Sequence, residues 1–230
     1  MKISGLQKLT LLDFPGHTAC TVFTGGCDFR CPFCHNSALV KPEGGFPEMD
    51  IEEFFTFLKK RSGVLDGVAI TGGEPTLQKG ILDFMARIKD MGLAVKLDTN
   101  GGHPNILCSA VEKKLCDYIA MDIKAAPSKY AQTIGIPNYD IAPVKESVSL
   151  LMTGKTPFEF RTTAVKELHK PEDFEEIGRW IAGEEPYFIQ KFKDSGDILC
   201  TGMSECDNET MEKMLNTVQK FVPNAALRGV

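Results

Sequence analysis

The chain has 230 residues, of which 43% are hydrophobic and 25% charged, and these values are typical of a globular protein with a packed core. The net charge is −5 and the basic residues are scattered, which argues against a nucleic-acid partner because phosphate binding requires clustered lysine and arginine. No apolar run approaches the ~20 residues of a membrane-spanning helix, and residues 1–12 carry no signal-peptide pattern. We therefore expect a cytoplasmic protein with no membrane partner, whose eight cysteines are not paired in disulfides.

Six apolar segments rich in β-branched residues alternate with segments of helical periodicity. The predicted strands are 18–24, 68–71, 93–99, 118–123, 158–165 and 187–192, and the predicted helices are 51–61, 77–91, 105–116, 144–152, 172–182 and 208–221. A short terminal strand is expected over 225–230. This alternation indicates a parallel sheet of right-handed βαβ units. Because about six units are too few for a closed eight-fold barrel, we predict an α/β fold in the form of an open partial (β/α)6 barrel.

No linker, low-complexity tract or internal repeat divides the sequence, so we predict a single domain. It consists of an N-terminal extension (1–17), a β/α core (18–193) and a C-terminal segment (194–230). In parallel α/β folds, ligands bind at the carboxyl ends of the strands. The residues with chemical character should therefore follow the strands, and they do so after the first four.

Three cysteines fall within eight residues, in the segment Cys27-Asp-Phe-Arg-Cys31-Pro-Phe-Cys34. Clustered thiolates are ligands for iron–sulfur clusters or zinc. A structural zinc site needs four ligands, and the nearby fourth candidate, His35, is adjacent to Cys34 and poorly placed to reach the same ion. Three cysteines on a [4Fe–4S] cluster instead leave one iron open. We therefore predict such a cluster, with a zinc-binding module and buried unreactive thiols as alternatives.

The Cys-x3-Cys-x2-Cys loop, with Phe33 before its last cysteine, resembles the signature of the radical S-adenosylmethionine (SAM) superfamily. In that family the open iron chelates SAM, and one electron from the cluster cleaves SAM to methionine and a 5′-deoxyadenosyl radical that abstracts a hydrogen atom. The resemblance implies the open partial barrel of radical SAM type. It also implies that Cys27, Cys31 and Cys34 are the metal-binding and catalytic residues and that Phe33 contacts the cofactor.

Other segments resemble the SAM site of this family. In the segment Thr71-Gly-Gly-Glu-Pro75, the glycines would let the backbone approach a ligand, and Glu74 would accept from the SAM ammonium group or order the backbone that does. Leu97-Asp-Thr-Asn-Gly101 and Met121-Asp-Ile-Lys124 resemble segments of pyruvate formate-lyase activating enzymes that help to form a SAM site and a monovalent-cation site. The implied cofactor contacts are Gly72, Gly73, Glu74, Asp98, Thr99, Asp122, Lys124 and Arg161. The alternatives are solvated residues at strand ends and, for the arginine, an ordinary salt bridge.

The opening segment, Met1-Lys-Ile-Ser-Gly-Leu-Gln-Lys-Leu-Thr-Leu-Leu-Asp-Phe-Pro-Gly16, and the segment Pro32-Phe-Cys-His-Asn36 resemble the anaerobic ribonucleoside-triphosphate reductase activating proteins. This resemblance implies an activase that removes a hydrogen atom from a glycine of a partner glycyl-radical enzyme, with a flavodoxin-like or ferredoxin-like electron donor. The alternatives are an activase of another glycyl-radical enzyme, such as pyruvate formate-lyase, and a radical SAM enzyme acting on a small molecule.

The remaining cysteines do not form a second cluster loop. Cys20, Cys108 and Cys116 are predicted to be buried thiols, and a metal or redox role for Cys200 and Cys206 is the less favoured interpretation of that pair. The four histidines lie far apart in the sequence, so we expect them in loops or behind the cluster ligands. The sequence therefore predicts a single cluster.

Overall fold

The computed structural model describes residues 1–40, 45, 48–194 and 196–230. Eight strands form one sheet in the order in which they occur along the chain. They are β1 (Ile3–Thr10), β2 (Ala19–Thr24), β3 (Gly67–Gly72), β4 (Ala94–Thr99), β5 (Tyr118–Asp122), β6 (Phe158–Ala164), β7 (Tyr187–Lys191) and β8 (Ala225–Arg228). Strand β1 pairs antiparallel with β2, and every later neighbour pairs in parallel. Because β1 and β8 are the two edges of the sheet, the predicted α/β fold and open partial barrel are confirmed.

Helices follow the parallel strands. They are α1 (Ser37–Val40), α2 (Ile51–Lys60), α3 (Ile81–Asp90), α4 (Pro104–Glu112), α5 (Tyr130–Thr133), α6 (Ala142–Leu151), α7 (Asp173–Trp180) and α8 (Asn208–Val218). Helix α2 begins after Asp50, as predicted, because the Asp50 carboxylate accepts hydrogen bonds from the backbone N–H groups of Glu52 (2.7 Å) and Glu53 (3.3 Å). No helix in the described ranges is long and apolar enough to cross a membrane.

The structure differs from the sequence prediction mainly at element ends. The N-terminal extension contains β1, which was not predicted. The helix predicted from residue 77 begins only at Ile81, because residues Pro75–Leu77 form a 3₁₀ turn and Gly80 takes a positive φ of 87° before α3. Helix α4 ends at Glu112, four residues before the predicted end at residue 116. Lys114, just beyond the helix, has a positive φ of 55°.

The two faces of the sheet have different compositions, as the period of two along a strand dictates. On β4, Val95 and Leu97 belong to the main hydrophobic core with the helices, whereas Lys96 and Asp98 alternate with them and form an ion pair. A small cluster containing Phe14, with Ala19, Ala69, Ala94 and Tyr118, packs where the parallel strands begin. The concave face is therefore apolar at the amino ends of the strands and charged further along them.

Candidate functional site

A cavity of about 490 Å³ lies at the carboxyl ends of the strands and along the concave face. All the residues inferred from the resemblance as cluster ligands or cofactor contacts line it: Cys27, Cys31, Phe33, Cys34, Gly72, Gly73, Glu74, Asp98, Thr99, Asp122, Lys124 and Arg161. The structure thus brings together segments from the ends of β2, β3, β4 and β5, as their positions along the predicted strands indicated, and Arg161 from the middle of β6.

The three cysteines of the loop between β2 and α1 face a desolvated environment. Cys31 is 7% exposed, and Cys27 and Cys34 are half-buried. Burial raises the pKa of Cys27 to about 12 and that of Cys31 to about 11, and it also raises the pKa of Cys34. Since metal binding requires thiolates, occupation of the loop by metal would displace these protons.

The donor set fits an iron–sulfur cluster better than a single metal ion. In the described part of the chain, no three His, Cys, Asp or Glu side chains are grouped to hold one metal ion, as a tetrahedral zinc would require. His35 is engaged elsewhere: its ring stacks on Phe192 at 5.2 Å, and Nε2 lies 2.7 Å from the Lys193 carbonyl oxygen. In a cubane cluster three thiolates bind three different irons, so the cysteines of this loop need not converge on one point as they would for a single ion.

Gly72 and Gly73 allow two loops to pack backbone against backbone. The Gly73 N–H donates to the Thr24 carbonyl (2.8 Å) and the Glu74 N–H to the Gly26 carbonyl (2.9 Å). A Cβ atom on Gly73 would lie only 2.1 Å from the Gly26 carbonyl oxygen, and one on Gly72, whose φ is +113°, only 2.5 Å from Thr24 backbone atoms. The glycines are therefore required by contact with the segment that leads into the cysteine loop, a reason that the sequence did not indicate.

Glu74 is 1% exposed and orders the ends of β3 and β4. Its carboxylate accepts hydrogen bonds from the Thr76 N–H (2.9 Å), the Thr99 hydroxyl (2.8 Å) and the Asn100 N–H (2.7 Å). Burial raises the pKa of Glu74 in spite of these donors. Of the two roles expected for Glu74, the geometry matches the ordering of backbone, because both carboxylate oxygens already have partners.

A half-buried ion network forms the wall contributed by β4, β5 and β6. Asp122 accepts from Arg161 Nε (2.9 Å) and Lys124 Nζ (2.8 Å), and Asp98 lies 3.3 Å from an Arg161 terminal nitrogen. Burial alone would raise the pKa of Asp122, but Arg161 and Lys124 outweigh it and hold the pKa at about 2. The network is therefore charged. Arg161 does not form an isolated surface salt bridge, because it pairs with both Asp98 and Asp122.

The monovalent cation near Asp98 and Asp122 stays a prediction. Asp98 is paired with Lys96 as well as with Arg161, and Asp122 with Lys124 and Arg161. An additional cation would have to share these carboxylates with side chains already bound to them.

Asn100 and Asp28 were not singled out from the sequence. The Asn100 side-chain amide donates to Asp28 Oδ1 (3.0 Å) and lies 4.0 Å from the Cys27 sulfur, and His103 Nε2 lies 3.0 Å from Asp28 Oδ2. Asn100 belongs to the Leu97–Gly101 segment, so its position after β4 was a usable signal. These contacts tie the end of β4 to the cysteine loop.

Gln7 and Asp13 also line the cavity. Asp13 accepts a hydrogen bond from the Thr21 hydroxyl (2.5 Å). Gln7 lies in β1 and Asp13 lies between β1 and β2, and they add an uncharged amide and a carboxylate to the cavity wall. Neither was singled out from the sequence.

The other cysteines lie outside this cavity. Cys20, Cys116 and Cys206 are buried, Cys108 is half-buried rather than buried as predicted, and Cys200 is exposed. The Cys200 N–H donates to the Pro32 carbonyl (2.9 Å), so the backbone of the C-terminal segment contacts the cysteine loop. The different exposures of Cys200 and Cys206 give no support to a shared metal site.

The fold is an open α/β barrel, and three thiols follow its first parallel strand beside a charged cavity. This arrangement defines the class of enzymes whose cysteines bind an iron–sulfur cluster. The model of the Radical SAM superfamily matches residues 21–181. The chain belongs to the radical SAM superfamily, whose cofactors are a [4Fe–4S] cluster and SAM, and it is an enzyme of radical-generating redox chemistry.

Known proteins narrow this class. The chain is 30% identical to the putative glycyl-radical enzyme activating enzyme MJ1227 of Methanocaldococcus jannaschii, over 99% of the chain and 96% of that protein. It is 30% identical to the pyruvate formate-lyase-activating enzyme of Staphylococcus aureus, over 60% of the chain and 59% of that protein. The structure of Streptococcus suis SuiB bound to precursor peptide SuiA shares the fold, with a TM-score of 0.67 and 17% identity over 91% of the chain and 48% of SuiB. The chain is thus homologous to glycyl-radical enzyme activating enzymes.

Proposed function

We propose that the chain is the activase of an anaerobic ribonucleoside-triphosphate reductase and generates a glycyl radical on that partner. The observation that carries the activase role is the similarity to MJ1227 along almost the whole chain. The choice of partner is supported by the opening segment through Asp13-Phe-Pro-Gly16 and by Cys34-His-Asn36. A small-molecule substrate is less well supported, because homology extends to proteins named as activating enzymes.

We assign Cys27, Cys31 and Cys34 as the cluster ligands. When bound, the cluster and SAM supply the electron and the 5′-deoxyadenosyl radical that removes a hydrogen atom from glycine. The hydrogen bonds of the loop support this assignment: the Phe29 N–H lies 3.4 Å from the Cys27 sulfur and the Cys34 N–H donates to the Cys31 carbonyl (3.1 Å). The Asn36 amide donates to the Gly72 carbonyl (3.1 Å), which holds the end of the loop against the end of β3.

The remaining cavity residues would bind and orient SAM. Arg161 and Lys124 present positive charge to its carboxylate, and Asp98 and Asp122 present negative charge to its ammonium and sulfonium groups. Phe33 is 4% exposed and supplies an apolar surface. Thr99 holds the Glu74 carboxylate in place, because its hydroxyl donates a hydrogen bond to that carboxylate at 2.8 Å.

Pyruvate formate-lyase is the second candidate partner, and the match to the Staphylococcus aureus enzyme favours it. Both partners present a glycine on a protein segment, and in each case the open sheet between β1 and β8 would give that segment access to the cavity. A flavodoxin-like or ferredoxin-like protein in the cytoplasm is the proposed electron donor. A protein substrate is consistent with a cavity whose residues from β1 and β2 are mostly uncharged.

The test is anaerobic incubation of the reconstituted protein with reductant, SAM and either purified reductase or purified pyruvate formate-lyase, followed by electron paramagnetic resonance. We expect a glycyl doublet with the reductase and none with the C31A variant. A doublet with pyruvate formate-lyase alone would reassign the partner. Cleavage of SAM without a glycyl signal on either protein would contradict the proposed function.

A further inference from the structure

His169 is a buried histidine that the proposed chemistry does not use. It follows β6, is 2% exposed, and lies outside the set of residues that line the cavity. Burial lowers its pKa, so the ring is neutral near pH 7 and has one nitrogen that accepts and one that donates.

The hydrogen bonds of the ring fix its tautomer. Nδ1 accepts the backbone N–H of Val165 at 3.1 Å, so the proton of the neutral ring is on Nε2. Nε2 lies 2.9 Å from the Lys124 carbonyl oxygen and donates to it. One imidazole thus joins the loop after β6 to the loop after β5.

The main chain at Lys124 is held by side chains on both sides. Besides the bond from His169, the Lys124 N–H donates to the Tyr130 hydroxyl at 3.4 Å, and the Ile123 carbonyl accepts from the Thr162 hydroxyl at 2.7 Å. Such support determines the direction of the Lys124 side chain, whose ammonium group reaches Asp122 at 2.8 Å.

The same imidazole also contacts the cysteine loop. Its ring lies edge-on to Phe33, with 6.3 Å between centroids and 77° between planes. Lys124 lines the same cavity as Cys31 and Cys34, and its ammonium group is held there by Asp122 at 2.8 Å. A shift of His169 would therefore move both a charge and an apolar wall beside these two cysteines.

We propose that His169 is a positioning residue for the cofactor site, which it serves by fixing the main chain at Lys124 through Nε2 and by supporting Phe33. The inference rests on the proposed function, since it assumes that Lys124 faces bound SAM. Of the two hydrogen bonds of the ring, the one to Lys124 carries the effect on SAM, and the one to Val165 supports the local fold.

Two substitutions of His169 remove its two hydrogen bonds one at a time. H169Q places an amide near the position of Nε2 and keeps a donor for the Lys124 carbonyl, whereas H169N places its amide near Nδ1 and keeps an acceptor for the Val165 N–H. Loss of one such bond corresponds to roughly a five- to tenfold change in an equilibrium constant. We expect H169N to bind SAM about five- to tenfold more weakly than the wild type and H169Q to bind it about as well.

Hydrogen exchange on the cofactor-free protein supplies a second readout. The Val165 amide should stay protected in H169N and lose protection in H169Q, the reverse of the order for SAM binding. F174L is the matched control, because Phe174 is fully buried and its ring lies 6.4 Å from that of His169. It should lower the melting temperature without changing SAM affinity.

The reduced, SAM-bound protein should show an altered cluster spectrum by electron paramagnetic resonance in H169N only. Wild-type SAM affinity in H169N, or equal loss in H169N and H169Q, would overturn the inference and leave the proposed function standing. A wild-type protein that holds a cluster but does not bind SAM would refute the proposed function and this inference with it.

Discussion

Substitution of Gly73 by alanine tests the backbone packing between the end of β3 and the cysteine loop. The new Cβ would lie 2.1 Å from the Gly26 carbonyl oxygen, whereas real contacts of this kind are almost never under 3.0 Å. The loops must therefore separate by about 1 Å, which breaks or lengthens the bonds Gly73–Thr24 (2.8 Å) and Glu74–Gly26 (2.9 Å). Gly73 has no positive φ, so the effect measures contact rather than backbone strain.

The magnitude follows from those two hydrogen bonds and the strain of the displaced loop. At about 0.5–1.5 kcal/mol for each bond, with strain in addition, we expect G73A to lower the free energy of unfolding by about 2–4 kcal/mol. Because Gly26 precedes Cys27, the iron content after reconstitution should fall as well.

Urea unfolding of the cofactor-free protein and iron analysis of the reconstituted protein measure the two effects. G183A is the matched control, since its Cβ would meet the flexible end of Met152 at 3.3 Å and the Ile181 carbonyl oxygen at an ordinary contact distance of 4.0 Å; it should change stability by less than about 0.5 kcal/mol. If G73A retained both the iron content and the stability of G183A, the reasoning about this contact would be wrong.

Three further predictions concern the cavity. Changing any one of the three loop cysteines to alanine should abolish the cluster, whereas C200A, at an exposed thiol, should retain full iron content. E74Q should lower the free energy of unfolding by about 1–3 kcal/mol, because its NH2 group would replace one carboxylate oxygen and face a backbone N–H donor, that of Asn100 at Oε2 or that of Thr76 at Oε1; unchanged urea midpoints would contradict this. Asp122 has a depressed pKa of about 2, so its contribution to stability is complete above its unfolded pKa of about 3.9 and is lost as the pH falls towards 2. Urea unfolding between pH 6 and 3 should therefore show a smaller acid-induced loss in D122N than in the wild type, and equal losses would refute this.

The alternation of strands and helices was predictable because each parallel strand is a compact apolar run and each longer helix has a clear periodicity. Strand β1 was not predictable in this way. Its middle residues alternate poorly and three of them are exposed, as an edge strand allows, and its pairing with β2 is a long-range contact that local sequence does not encode. The late start of α3 came from local turn chemistry at Pro75 and Gly80.

The composition of the cavity was more predictable than its internal bonding. Position after a parallel strand placed Glu74, Asp98 and Asp122 at one rim without any pairwise information. The partners of each carboxylate depend on distances between strands, so the ion pairs of Arg161 and the hydrogen bonds to Glu74 from Thr99 and Asn100 could be seen only in the fold. The same holds for His169, whose two hydrogen-bond partners lie four and 45 residues away.

The function proposed for this chain requires its three loop thiols to hold a [4Fe–4S] cluster with one iron open to SAM. Iron and sulfide analysis of anaerobically reconstituted protein, combined with electron paramagnetic resonance of the reduced sample before and after addition of SAM, tests it most directly. We expect about four irons and about four sulfides per chain, as a cubane requires, and a spectrum that changes when SAM is added. Bound zinc without iron, or a reduced cluster whose spectrum is unaffected by SAM, would contradict it.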